Sequence, residues 1–141
     1  MEDKLIAVSA CLVGVNCKYN GKSNLQPRVI EFLKGKELTL ICPEELGGLT
    51  TPRIESEIQK DGRVYNKNGI DVTANFVTGA EKAIEIIKQN NCNAVVLKDG
   101  SPSCGFKYIY DGTFTGKRIR GQGILARYLK ENGIKIINLE T

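Results

Sequence analysis

Short apolar runs alternate along the chain with stretches whose apolar residues recur every three or four positions. Lys4 to Ala10, Glu37 to Ile41, Asn93 to Leu97 and Ile134 to Leu139 are brief runs, the first ending in a glycine-bearing loop. Runs of that length bounded by loops predict buried strands. Between them, Phe76, Ala80, Ala83, Ile84 and Ile87 share one face of a 3.6-residue repeat, and Glu81, Lys82, Glu85 and Lys88 fall outside it. That spacing predicts a long amphipathic helix, with Thr73 placed to cap its start. Shorter helices are predicted for Arg28 to Lys34, behind Pro27, and for Ile124 to Asn132, where Gly133 takes the position after the C-cap. Val64-Tyr65 and Ile70-Asp71-Val72 straddle Asn68-Gly69, which predicts a small β-excursion or hairpin near residues 63–72.

Strands alternating with helices place the chain in the α/β class, with a mainly parallel β-sheet flanked by helices in a Rossmann-like layer arrangement. At 141 residues, with no repeat, linker or low-complexity tract, a single domain over residues 1–141 is expected. No apolar run approaches the roughly 18 residues of a membrane helix. The start carries Glu2 and Asp3 where a signal peptide would be basic, so the expected location is the cytoplasm, with no membrane partner.

A hydrophobic fraction of 41% and a charged fraction of 26% exclude a disordered tail, a collagen-like chain and a coiled coil. The net charge of +4 permits an anionic substrate or RNA without demanding either. Histidine, which is absent, decides more. Without it the chain holds no Ser-His-Asp triad, no Cys-His nucleophile pair and no histidine-containing zinc site. Chemistry falls to cysteine, carboxylates, hydroxyls or a cofactor.

The five cysteines are Cys11, Cys17, Cys42, Cys92 and Cys104. Their odd number argues against a disulfide framework. No two are spaced as Cys-x-x-Cys, so the signatures of a zinc ribbon, a thioredoxin motif and a ferredoxin-type run are missing. On the predicted frame, Cys11 follows the first strand, Cys42 the second, and Cys104 lies in the loop after the third. Three thiols thus emerge at the C-terminal edge of the sheet, where open α/β sheets bind ligands. Cys17 shares the first loop. Cys92 precedes the third strand, and about five residues at roughly 3.3 Å each put it near the opposite edge, as a small buried apolar side chain. Thiolates converging from separate loops select zinc, copper(I) or an iron–sulfur cluster.

Three segments carry a specific resemblance. Ser9-Ala-Cys11-Leu-Val-Gly14-Val-Asn-Cys17-Lys-Tyr19-Asn-Gly21 opens the chain. Cys42-Pro-Glu44-Glu-Leu-Gly47-Gly48-Leu-Thr-Thr-Pro52-Arg53 follows, and then Ser101-Pro-Ser103-Cys104-Gly105. In that order they resemble the thiouracil desulfidase family, long catalogued as domain of unknown function 523. The likeness runs over nearly the whole chain, including Gly69-Ile-Asp71-Val-Thr and Tyr110-Asp111-Gly112-Thr-Phe114-Thr-Gly116. Two stretches depart from the pattern. Ile54-Glu-Ser-Glu57 stands where relatives often have a proline and a small residue before the acid, and Asp99-Gly100 where they are commonly basic. Both departures bear on the substrate pocket more than on the cofactor.

The resemblance implies a metal-binding, 4Fe-4S enzyme that desulfurates a thiolated pyrimidine, a thiouracil-like base or nucleoside, to its oxo form by a hydrolase-like, non-redox route. By motif, Cys11, Cys42 and Cys104 hold the iron–sulfur cluster and leave one iron without a protein ligand, Cys17 being a possible further ligand. Glu44 is implied as the proton-transfer group and Ser101 as a hydrogen-bonding partner of the substrate, against the alternative that it caps its own loop. Two readings from other classes stand beside this one. Cys11, Cys17, Cys42 and Cys104 could close a structural zinc site without catalysis. Lys107, Lys117, Arg118, Arg120, Arg127 and Lys130 could serve an RNA-binding protein acting on thiolated tRNA.

Overall fold

In the computed structural model of the chain, residues 5–137 and 139 are described. In chain order the elements are β1 (Leu5–Ser9), α1 (Pro27–Leu33), β2 (Glu37–Ile41), α2 (Pro43–Leu46), β3 (Ser56–Ile58), β4 (Val64–Asn66), α3 (Thr73–Gln89), β5 (Ala94–Val96), β6 (Tyr108–Tyr110), β7 (Arg118–Arg120), α4 (Ile124–Glu131) and β8 (Lys135–Ile137). β1, β2, β5 and β8 form one parallel sheet in the order β2-β1-β5-β8. The α/β class and the parallel sheet flanked by helices are as the sequence predicts.

The period-two geometry of a strand divides the core. Ile6 and Val8 of β1 and Ala94 and Val96 of β5 point to one side, where they pack with Val29 and Leu33 of α1. Ala7 and Val95 point to the other, against Phe76, Ala80, Ala83 and Ile87 of α3 and Leu125 and Leu129 of α4. Both faces of the central strands are therefore covered, which explains their continuous apolar runs. β1 leads through α1 to β2 on one side, and the chain then crosses by α3 to β5 on the other. The strand order reverses beside β1, which opens a crevice above the C-terminal ends of β1 and β5.

Two antiparallel pairs stand outside the sheet, β3 with β4 and β6 with β7. The excursion predicted near residues 63–72 exists, since Val72 N donates to Val64 O at 2.8 Å and Asn66 N to Ile70 O at 2.9 Å. The ladder partner of β4, however, is β3, which the sequence pattern did not reveal. Thr73 does not cap α3. It is the first helical residue, its hydroxyl accepts the Val64 N–H at 2.8 Å, and Asp71 Oδ1 takes the Thr73 N–H at 2.9 Å. Asp71 therefore does the work expected of Thr73, being the residue that precedes the turn. Gly133 does follow the C-cap Asn132 of α4, with φ 68°. The last strand is shorter than the apolar run from Ile134 to Leu139, and Lys4 and Asn138 lie outside the described residues.

One contact fixes the segment that follows β2. A Cβ on Gly79 of α3 would lie 1.9 Å from Pro43 O, and one on Gly47 would lie 2.0 Å from Asn75 O. Backbone thus packs on backbone between α2 and α3, and Asn75 Nδ2 adds a hydrogen bond to Gly47 O at 2.9 Å. At these two glycines the loop that carries Cys42 and Glu44 is seated directly on the backbone of the long helix.

Candidate active site

Three loops meet above the crevice. Cys11 sits in the 3-10 turn Ala10–Val13 directly after β1, Cys42 is the N-cap of α2 directly after β2, and Cys104 lies in the loop beyond β5. All three line one cavity of about 440 Å³, together with Cys17, Glu44, Arg53, Glu57, Ser101 and the aromatic residues Tyr19, Tyr108, Tyr110 and Phe114. All five cysteines are free thiols. Cys92 does not line the cavity. It is half-buried at the junction of α3 and β5 and packs against the core on the α3 side.

The thiols are supplied with donors. Asn24 Nδ2 donates to Cys11 Sγ at 3.4 Å, and Ser9 Oγ donates to Cys104 Sγ at 3.5 Å. Cys17 is only 3% exposed and lines the cavity beside Cys11 and Cys42, and Cys42 Sγ donates to Cys17 O at 3.8 Å. The Cys17 side chain is the main reason Cys11 is drawn down to about 7, against the opposing effect of burial and with help from Asn24 and the charge of Lys98. Cys42 is lowered for the same reason, while Cys17 is raised by these two neighbours. Burial pushes Cys104 up, and the Ser9 hydroxyl only partly opposes it.

Thiols brought to one cavity from three separate loops are a donor set that an iron–sulfur cluster can use. Among the described residues, no three Cys, Asp or Glu side chains lie close enough to share a single metal. A tetrahedral zinc with bonds of about 2.3 Å needs its four sulfurs nearly in contact. Cys11, Cys17, Cys42 and Cys104 are therefore not gathered as a formed zinc site among the described residues. A cluster gives each thiol its own iron and so fits thiols spread around the wall of a cavity.

Glu44 lies in the first turn of α2 and its Oε2 accepts from Arg53 Nη2 at 2.9 Å. Burial raises this carboxyl above the ordinary carboxylate range, and the charge and hydrogen bond of Arg53 restrain the rise. Arg53 also donates to Cys17 O at 2.9 Å, to Thr50 O at 3.1 Å and to Thr51 Oγ1 at 2.8 Å. One guanidinium thus ties the loop of Cys17 to the loop of Glu44. Glu45 is exposed and accepts a hydrogen bond from the Thr51 hydroxyl. Ser101 Oγ accepts the N–H groups of Cys104 at 2.7 Å and Ser103 at 3.2 Å. It braces its own loop while lining the cavity, and its remaining hydrogen-bonding capacity is its O–H proton.

Asp99, a departure from the family pattern in the sequence, is buried in the structure. Its Oδ1 accepts four backbone N–H groups, from Gly100 (2.9 Å), Phe106 (2.9 Å), Lys107 (3.1 Å) and Tyr108 (3.3 Å). It thereby winds the Cys104 loop around a single carboxylate oxygen. Gly100, at φ 89°, lets the Tyr108 ring close over it, since a Cβ there would lie 2.7 Å from the ring. Neither partnership leaves a signal in spacing, although Arg53 stood inside a quoted motif and an acid beside a glycine is a common turn former. Of the basic residues considered for RNA, Lys107, Lys117, Arg118, Arg120, Arg127 and Lys130 are all exposed, and Arg118 stacks on the Tyr108 ring at 4.3 Å. Among the described residues, no helix is long and apolar enough to cross a membrane.

A family model described as 2-thiouracil desulfurase matches residues 6–141. YbbK, an uncharacterized protein of Bacillus subtilis (strain 168), is 38% identical over 143 residues, covering 95% of each chain. Among solved structures, the thiouracil desulfidase TudS, named as dependent on a 4Fe-4S cluster, is 37% identical with a TM-score of 0.87. That match covers 96% of this chain and 90% of the other.

Proposed function

We propose, for a chain that belongs to the 2-thiouracil desulfurase family, that it hydrolyses the thiocarbonyl of a thiolated pyrimidine, base or nucleoside, at a 4Fe-4S cluster held by Cys11, Cys42 and Cys104. The observation that carries this reading is the convergence of three free thiols and one half-buried carboxyl on a single cavity at the switch point of the sheet. The overall change is thiocarbonyl plus water to carbonyl plus hydrogen sulfide. Carbon stays at the same oxidation level, so the balance calls for a water and a proton carrier and for no reductant.

When bound, the cluster supplies a soft Lewis-acid iron suited to a thiocarbonyl sulfur. The remaining work falls to side chains. Arg53 engages Oε2 of Glu44 and leaves Oε1 without a partner among the described residues, available to a water. Glu44 takes the proton of that water as its oxygen adds to the thiocarbonyl carbon, the task histidine performs elsewhere. Ser101, with its acceptor capacity used by two backbone N–H groups, directs its proton to the substrate. The aromatic rings of Tyr19, Tyr110 and Phe114 offer apolar walls to a planar base. Sulfur leaves as hydrosulfide.

The test is sulfide release from 2-thiouracil by anaerobically reconstituted protein with no electron donor present. Turnover in stoichiometric excess over protein is expected. A requirement for reductant in every cycle would overturn the non-redox route.

A further inference from the structure

Glu57 stands in the middle of β3, 7% exposed, and lines the same cavity as the three thiols. Its Oε1 accepts the backbone N–H groups of Gly112 at 2.9 Å and Phe114 at 3.2 Å. Just past the end of the strand, Gln59 Nε2 donates to Gly112 O at 3.0 Å. The loop that brings Phe114 and Gly116 to the cavity is therefore anchored on one edge of β3.

Oε2 of Glu57 is used differently. It has no hydrogen-bond partner among the described residues, and none of the ion pairs among them includes Glu57. It is not sealed in protein either, since Ser103 Oγ is the enclosed side-chain polar atom left without a partner there. A carboxylate oxygen in a nearly buried residue, open to a cavity and unmatched by the protein, is a strong acceptor whose desolvation only an incoming donor offsets. The basic groups nearby do not provide one. Arg53 donates to Glu44, Cys17, Thr50 and Thr51, and Lys98 Nζ donates to Asp99 O at 2.9 Å.

Resting on the desulfidase reading, we infer that Glu57 is a specificity-determining residue that accepts a ring N–H of the thiolated pyrimidine. The chemical class it selects is a cyclic thioamide or thioimide that keeps a proton on ring nitrogen, and the class it rejects is the same ring alkylated there. The oxo product keeps the N–H groups of the substrate, so recognition is readable without turnover. Glu57→Gln makes the decisive variant. To keep the Gly112 and Phe114 N–H groups bonded, the amide must turn its oxygen to them and its NH₂ to the cavity, which replaces an acceptor by a donor where the ligand binds.

Affinities of uracil, 1-methyluracil and 3-methyluracil for the cluster-loaded protein, measured by calorimetry on the native sequence, Glu57→Gln and Gln59→Ala, test this as a cycle. In the native sequence, one of the two methyl isomers is expected to bind about tenfold or more weakly than uracil, the scale of a lost hydrogen bond to a charged group. In Glu57→Gln that penalty should fall below about threefold, because uracil itself has weakened. Gln59→Ala loosens the same loop without touching the ligand and should retain the penalty. A penalty undiminished in Glu57→Gln, or equally lost in Gln59→Ala, overturns the assignment and leaves Glu57 as a loop anchor. A penalty that behaves as expected in protein that releases no sulfide from 2-thiouracil upholds the Glu57 contact and sinks only the desulfidase reading.

Discussion

Arg53 Nη2 lies 2.9 Å from Glu44 Oε2, and the guanidinium side of this pair is only 6% exposed. The pair aligns the carboxyl in the cavity wall without using its second oxygen, so in the proposed reaction proton transfer and cofactor binding rest on separate groups. Glu44→Gln keeps the shape and still accepts from Arg53 but cannot carry a proton. We expect it to retain full iron and sulfide content and to lose on the order of 100-fold in turnover. Glu45→Gln, on an exposed side chain bonded to Thr51, should match the native rate. Iron, sulfide and rate measured on the same preparations check this, and a Glu44→Gln protein of normal rate would remove Glu44 from the mechanism.

Serine replacements of the cysteines should divide by position. Cys11→Ser, Cys42→Ser and Cys104→Ser should each leave less than the roughly four irons per chain of a cubane, whereas Cys92→Ser, away from the cavity, should load fully. Cys17→Ser keeps a hydrogen-bond donor beside Cys11 and Cys42 and should retain part of the activity, and Cys17→Ala should retain less. Iron analysis after anaerobic reconstitution gives the answer, and a Cys17→Ser protein with no iron would promote Cys17 to a ligand.

Gly79→Ala sets helix propensity against packing. Alanine is favoured over glycine in a helix interior by about 1 kcal/mol. Its Cβ, however, would sit 1.9 Å from Pro43 O, so α2 must move off α3. We expect a net loss of about 2 kcal/mol, the usual cost of overpacking, together with weaker iron retention because Cys42 moves with α2. Urea unfolding of the cluster-free protein checks the first and iron content the second. A more stable variant would show that the α2 contact yields easily.

Asp71 gives a pH dependence whose sign follows from its partners. Hydrogen bonds from Thr73, with Arg63 at 2.6 Å, hold its carboxyl at about 2, below the ordinary value. A depressed folded-state value stabilises the fold above the unfolded value near 4, and that contribution is lost as pH falls toward 2. Asp71→Asn should therefore melt at lower temperature than the native chain at pH 6, and the gap should narrow between pH 4 and pH 2. A gap independent of pH would assign the effect to shape and not to charge.

The legible parts of this molecule were those in which each residue acts through its neighbours in sequence. The alternation of Ile6, Ala7 and Val8, the helical face from Phe76 to Ile87, and Gly133 after α4 follow from local periodicity and backbone preference. So does the placement of Cys11, Cys42 and Cys104 at strand ends, because in a parallel sheet chain order determines which end a loop occupies. What escaped was paired across the chain. The N-cap position falls on Val72, and Asp71, one residue further out, takes the first helical N–H, because Asp71 and Thr73 both accept N–H groups and only the turn geometry separates them. β7 carries Arg118, Ile119 and Arg120, all exposed, so it has no buried face to mark it. Arg53 with Glu44, and Glu57 with Gly112, join loops whose meeting depends on the assembled sheet.

The wiring of the sheet also sets an order in time. Cys11 and Cys42 belong to neighbouring strands joined through α1, but Cys104 arrives on the far side of β1, after α3 has crossed the sheet and β5 has docked. A chain still emerging from the ribosome can present two of these thiols and not the third. With these three thiols as the proposed ligands, cofactor capture would come after most of the polypeptide has been synthesised and after the α3 crossover has closed. On that proposal a chain whose β5 inserts wrongly would stay colourless, and visible absorption of the loaded protein would report that the topology was completed.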